Sequence, residues 1–289
     1  MSSIRSFFFR PIHYFTSAGV GRDTNDSSNK SREAILTSLH QSTEPSLQVL
    51  RAKWIAFLQT LCPTYDDVTV TTRGGRGYNY DFLVSFSSQG TTISLKCEFK
   101  HNVSRIDKLP EYFSPAADKP YLPRLYADSF YDTLDHICEI YPEVSQYKPD
   151  RETYVRLVHS DDYDRHPFFR ALYDAEVAGT REQYIHKQKL VPESISTFLK
   201  TYVASLDLKK LSDDIRERQS GKVFILWDTK EFHADTIRDD EMDITHVEPI
   251  KNGNTIVAVS KAGTKHNMLL RWKNHLGILY PAWQISLTR

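Results

Sequence analysis

The stretch from Tyr78 to His101 constrains the fold more than any other part of this 289-residue chain. Thr91 to Phe99 places Ile93, Leu95, Cys97 and Phe99 at every second position, and Tyr78 to Phe86 places Tyr80, Phe82, Val84 and Phe86 in the same rhythm. A period of two is that of a strand with one apolar face. Ser87 to Gly90 is a short, turn-rich break, so the two runs should form an antiparallel hairpin. On the second strand Glu98 and Lys100 then share one face, and Leu95, Cys97 and Phe99 share the other. Asp81 lies early in the first strand, where the hairpin brings it beside Glu98.

Two neighbouring carboxylates repel each other, and a hard divalent cation relieves that repulsion. Mg²⁺ or Mn²⁺ accepts oxygen ligands and keeps several waters, which leaves positions for a phosphate oxygen and a nucleophilic water. Asp81 and Glu98 are the candidate metal ligands, and the Cys97 backbone carbonyl is a further candidate. Lys100 is placed to orient or deprotonate the water, or to stabilise charge developing on the phosphate. A solvated strand end, with Glu98 and Lys100 simply paired, is the bland alternative.

The elements before the hairpin extend the pattern. Residues 31–62 read as helix, broken near Pro45, with Leu47, Leu50, Trp54, Leu58 and Leu61 forming one apolar stripe before Pro63. Val68 to Thr72 is a short β-branched strand. Helix, then a three-stranded meander carrying Asp81 and Glu98-Phe99-Lys100 on its second and third strands, resembles the D-(x)n-ExK signature of the PD-(D/E)xK nucleases, the restriction-endonuclease-like superfamily. The resemblance covers roughly residues 31–145. It implies Asp81 and Glu98 as metal ligands, Lys100 as the catalytic lysine, and an in-line attack of water on phosphorus. It also implies a helix-borne glutamate before the sheet, for which Glu33 and Glu44 are the candidates. Two positions depart from the pattern: Tyr80 precedes Asp81 where a proline is common, and Glu111 stands where some members carry a glutamine.

Farther along, residues 105–215 read as mostly helical. Val223 to Trp227, Thr255 to Ser260, Met268 to Trp272 and Trp283 to Leu287 read as strands. The expected fold class is therefore α/β: a restriction-endonuclease-like core with a mixed sheet flanked by helices, plus a β-rich C-terminal extension. The expected organisation is a mobile tail over 1–30 and one nuclease-like domain over 31–289, divided into a core (31–145), a helical insert (146–215) and a β-rich part (216–289).

The 37 basic and 37 acidic residues balance, which argues against coating nucleic acid through bulk charge and leaves a local basic cleft as the alternative. Arg73, Arg76, His101, Arg105 and Lys108 flank the candidate strands and are expected phosphate contacts. Arg271 and Lys273, in an acid-free C-terminal stretch interleaved with aromatic residues, are further candidates. The expected activity is phosphodiester hydrolysis in replication, repair or restriction, with DNA favoured over RNA as substrate. A non-catalytic nucleic-acid-binding or scaffold protein on an inactive nuclease fold is the alternative.

Ile4, Phe7 and Phe8 resemble the apolar plug of a sliding-clamp-binding (PIP) box, with Met1 in place of its glutamine; the resemblance implies a sliding clamp as partner. The acid-free, Arg- and Ser-containing N-terminus also suits a mitochondrial transit peptide, and packing of Phe7 to Phe9 on the domain is the bland alternative. Three widely spaced cysteines form no disulfide or zinc pattern, which fits a reducing intracellular compartment, the nucleus ahead of the mitochondrion. No apolar run is long enough for a membrane span, so no membrane partner is expected.

Overall fold

The computed structural model describes residues 12–16, 25–73, 78–108, 112–115, 121–160, 162–272 and 281–289. In chain order the helices and strands are α1 (His13–Thr16), α2 (Asn25–Ser38), α3 (Gln48–Leu61), β1 (Asp67–Thr72), β2 (Phe82–Ser88), β3 (Thr91–His101) and β4 (Tyr112–Pro115). Then come α4 (Tyr126–Phe130), α5 (Thr133–Ile140), α6 (Arg151–Leu157), α7 (Pro167–Ala178), α8 (Arg181–Tyr202) and α9 (Leu208–Gln219). The remainder are β5 (Lys222–Trp227), β6 (Phe232–Asp235), α10 (Asp239–Met242), β7 (Ile244–Asn252), β8 (Thr255–Ser260), β9 (Lys265–Trp272) and β10 (Pro281–Thr288). The chain is α/β, with two five-stranded sheets among the described residues.

These elements form two compact units. One is drawn from residues 1–109 and 218–238, the other from 110–217 and 239–289. β5 and β6, expected in a β-rich C-terminal part, complete the first sheet instead, in the order β1-β2-β3-β5-β6. That sheet is mixed: β1, β2 and β3 are an antiparallel meander, β5 runs parallel to β3, and β6 returns antiparallel to β5.

The hairpin between β2 and β3 turns on two residues, Gln89 and Gly90, with φ of 48° and 81°. Positive φ at both centres is the geometry of the tight turn whose twist matches that of the flanking strands. The Gln89 amide N–H also donates to Asp66 Oδ2 at 3.0 Å. The turn sets the register: Ser88 pairs with Thr91 and Phe82 with Cys97. One rung farther, Asp81 meets Glu98.

The apolar strand faces build the first core. Val68 and Val70, Phe82, Val84 and Phe86, Cys97 and Phe99, and Ile225 and Trp227 join Leu36, Leu39, Leu50, Trp54 and Leu58 of the helical segments in one buried cluster. Trp54 stacks on Phe57 at 5.5 Å and meets Phe232 at 5.0 Å. The helical reading of 31–62 holds, broken as expected around Pro45, where a 3-10 turn (Pro45–Leu47) precedes α3.

The expected tail is corrected in part. Residues 25–32, read as mobile, are the first turns of α2, and α1 contributes a core residue. Phe15 is fully buried between Phe99 and Trp227, at 6.4 and 6.1 Å, and its carbonyl accepts the Trp227 indole N–H at 3.0 Å. Burying such a ring is worth about 1.5–3 kcal/mol, enough to hold a short segment whose own helix propensity is negligible. Ile4, Phe7 and Phe8 lie outside the described residues, as do Arg76 and Lys273.

In the second unit the sheet order is β4-β10-β9-β8-β7, all antiparallel. The strands expected over Met268 to Trp272 and Trp283 to Leu287 are present as β9 and β10, paired antiparallel. The α4 residues Tyr126 and Phe130 pack on Trp272 at 5.3 and 4.7 Å. No helix among the described residues is long and apolar enough to cross a membrane.

Candidate active site

The alternation expected for β3 holds. Cys97 and Phe99 point into the helix-covered core, which leaves Glu98 and Lys100 together on the opposite face. Lys100 Nζ lies 2.8 Å from Glu98 Oε1. Asp81 stands at the head of β2, with its Oδ2 accepting the Phe99 backbone N–H at 2.8 Å. The Asp81 amide in turn donates to the Cys97 carbonyl at 3.0 Å, so that carbonyl already serves the strand pairing. Burial raises the Cys97 thiol to about 12, which keeps the sulfur in its neutral form.

Lys222, at the first position of β5, completes the cluster. Its Nζ lies 2.8 Å from Glu98 Oε2 and also donates to the Asn79 carbonyl. Each oxygen of Glu98 is thus met by a separate ammonium group. The three side chains differ sharply in access to solvent: Lys100 is 27% exposed, Glu98 12% and Lys222 3%. Lys222 is sealed in, and Lys100 faces outward. Sequence reasoning missed Lys222 because a lysine opening an apolar run reads as a solvated strand end. Only the parallel pairing of β3 with β5, which sets Lys96 opposite Lys222, brings it to Glu98.

The electrostatics follow from this packing. Burial pushes the Asp81 carboxyl up, and repulsion from Glu98 adds to the rise, against the Phe99 N–H, Lys100 and Lys222. Burial would raise Glu98 too, but Lys100 and Lys222 outweigh it and hold Glu98 below the ordinary glutamate range. For Lys100, burial lowers the ammonium's pKa, but Glu98, Asp81 and Glu33 outweigh that and leave it above its ordinary value. At neutral pH Lys100 is a cation, which suits charge stabilisation better than proton abstraction.

Glu33 and Glu44 part company here. Glu33, on α2, is near enough for its charge to act on Lys100. Glu44 is exposed at the start of the 3-10 turn, where it accepts a bond from the Ser46 hydroxyl.

The expected phosphate contacts scatter. His101 is the last residue of β3 rather than a loop residue, and it alternates with Lys100 onto the helix side. Burial and the nearby Arg32 guanidinium hold it down to about 4, despite a hydrogen bond with the Phe15 backbone, so it carries no charge at neutral pH. Arg105 is paired bidentately with Asp107, at 2.9 and 2.6 Å. Arg271 belongs to the second unit, where it donates to Gln284 at 2.6 Å. Arg73 sits with its guanidinium 5.6 Å from the Tyr78 ring centroid, and its amide donates to the Asp81 carbonyl at 2.7 Å. The Lys108 side chain lies outside what the structure describes.

His101 carries a pH prediction. Its folded pKa lies below the ordinary 6.5, so its contribution to stability is complete above about pH 6.5 and is lost as pH falls towards about 4. Wild type should lose more stability than His101→Gln across that window. Urea midpoints at pH 7 and pH 5 check this, and parallel losses in the two proteins would count against it.

A hard cation needs oxygen donors, and Asp81 with Glu98 supplies two carboxylates whose mutual repulsion a cation would relieve. That donor set fits Mg²⁺, which commonly takes one or two carboxylates and keeps its remaining ligands as water or substrate phosphate. Among the described residues no group of three or more His, Cys, Asp or Glu side chains is gathered for a metal. No protein-family model matches the chain, and comparison with curated proteins finds no match for its sequence.

Proposed function

We propose that this protein is a divalent-metal-dependent nuclease of restriction-endonuclease-like design that hydrolyses phosphodiester bonds, with DNA as the favoured substrate. The observation that carries the reading is the half-buried Asp81–Glu98 pair with a solvent-facing, protonated Lys100 bonded to Glu98. Asp81 and Glu98 would hold Mg²⁺ or Mn²⁺, which supplies Lewis acidity and a more acidic water when bound. Lys100 meets the negative charge that grows on the phosphate oxygens as water adds and the ester bond breaks. Lys222 keeps Glu98 ionised and oriented, and its bond to the Asn79 carbonyl ties the approach to Asp81 to the same carboxylate.

A second reading has one observation in its favour. Both oxygens of Glu98 are already met by ammonium groups, as in a self-neutralised ion cluster, and such a protein would bind nucleic acid without cutting it. The deciding experiment is cleavage of labelled single-stranded, double-stranded and branched DNA, and of RNA, with Mg²⁺ or Mn²⁺ and with EDTA. The nuclease reading expects metal-dependent products from wild type and none from Glu98→Gln. Binding with no cleavage under any metal condition would sink it.

A further inference from the structure

An exposed aromatic group stands shortly before Asp81 in the chain. Tyr78 is 50% exposed, three residues before Asp81. Its ring meets the Tyr80 ring edge-on at 5.5 Å, and the Arg73 guanidinium lies over it at 5.6 Å. The residue after it is held in place. Asn79, between the two tyrosines, donates through Nδ2 to the Arg218 carbonyl at 2.8 Å and accepts Lys222 through its own carbonyl. Arg73 and Asp81 are joined by a backbone hydrogen bond, and Asp81 is joined to Cys97 by another. An exposed tyrosine on a loop usually moves freely; this one has its ring against Tyr80 and Arg73, and the residue that follows it is tied by hydrogen bonds. Such preorganisation lowers the ordering cost of any ligand that stacks on it.

Resting on the nucleic-acid reading above, we propose that Tyr78, supported by Tyr80 and Arg73, is a stacking platform for one unpaired nucleobase of the substrate. An aromatic face beside a guanidinium suits a base together with its phosphate, since every base offers a π face and every nucleotide an anion. Bases inside a duplex have both faces covered by their neighbours. Such a platform therefore selects single strands, or duplexes with an unpaired nucleotide.

The test is fluorescence anisotropy with the full-length protein in EDTA, so that binding is read without cleavage. The probes are an oligothymidylate, an abasic oligomer of the same length and phosphate count, and a blunt duplex. The oligothymidylate should bind about 5- to 150-fold more tightly than the abasic oligomer, the range expected for one stacked base. Tyr78→Ala should remove that preference, and Tyr78→Phe should retain it. Circular dichroism controls for folding, which an exposed side chain should leave unchanged. Equal affinity for the first two probes, a preference for the duplex, no measurable binding, or a preference that survives in Tyr78→Ala would each overturn the proposal. Adding Mg²⁺ to the same probes separates the two readings. A base preference without cleavage supports the platform and counts against the nuclease, whereas indiscriminate cleavage of abasic and duplex probes removes the platform alone.

Discussion

Lys100→Met is expected to lower metal-dependent cleavage by about 10²- to 10³-fold, the usual loss when one group aimed at developing charge is removed. Methionine keeps much of the side-chain volume and removes the ammonium. Lys100 is the partner of Glu98 that faces solvent, so it is the lysine a phosphate can reach. Its raised pKa keeps it charged, and the rate should show no basic limb from its deprotonation until well above neutrality. Stability should change little by comparison, because Glu98 retains Lys222 on its other oxygen. Steady-state kinetics beside a urea melt would check both halves. A variant that cuts at the wild-type rate would remove Lys100 from the chemistry.

Lys222→Met should behave differently, with loss of both stability and turnover. Removing one partner of a buried ion pair leaves the other charge uncompensated, which costs about 3–5 kcal/mol when nothing else supports it. Lys100 still supports Glu98 here, so a loss of about 2–3 kcal/mol is expected, at the lower end of that range or just below it. The signature is its pH dependence. Glu98 sits below its ordinary pKa in the wild type, so its contribution is present at neutral pH and lost as pH falls through the carboxylate range. Without Lys222, burial is less opposed, the Glu98 pKa rises, and the variant holds a proton there that the wild type does not. The stability gap should therefore be full at neutral pH and narrow on acidification. A gap independent of pH would mean that Lys222 acts only as packing. Turnover should fall as well, because the Asn79 carbonyl loses its tether and a small displacement of Asp81 is costly to a positioned reaction.

Much of the local architecture is written in short-range pattern. The alternation in β2 and β3, with a two-residue Gln89-Gly90 turn between them, places Asp81 opposite Glu98 and sets Lys100 on the same face. The α3 stripe of Leu50, Trp54 and Leu58 is equally plain at helical spacing. Other features were not legible. Phe15 looked like part of a tail because its burial depends on Phe99 and Trp227, far along the chain. His101 looked like a phosphate contact because its basicity in isolation is ordinary; burial and Arg32 are what lower it. The helical and β-rich stretches after residue 110 did not reveal that β5 and β6 return to the first sheet.

The sequence by itself determined the pairing of Asp81 with the Glu98–Lys100 face, because strand alternation and a tight hairpin are local properties that a few consecutive residues dictate. Tertiary structure alone decided the second half of the site. Lys222 stands 124 positions from Glu98, and only the parallel docking of β5 on β3 carries its ammonium to that carboxylate. The same contact seals Lys222 from water and leaves Lys100 open, and so gives two chemically identical side chains different surroundings. Burial and long-range register depend on the packing of the whole unit, and no short stretch of sequence contains them.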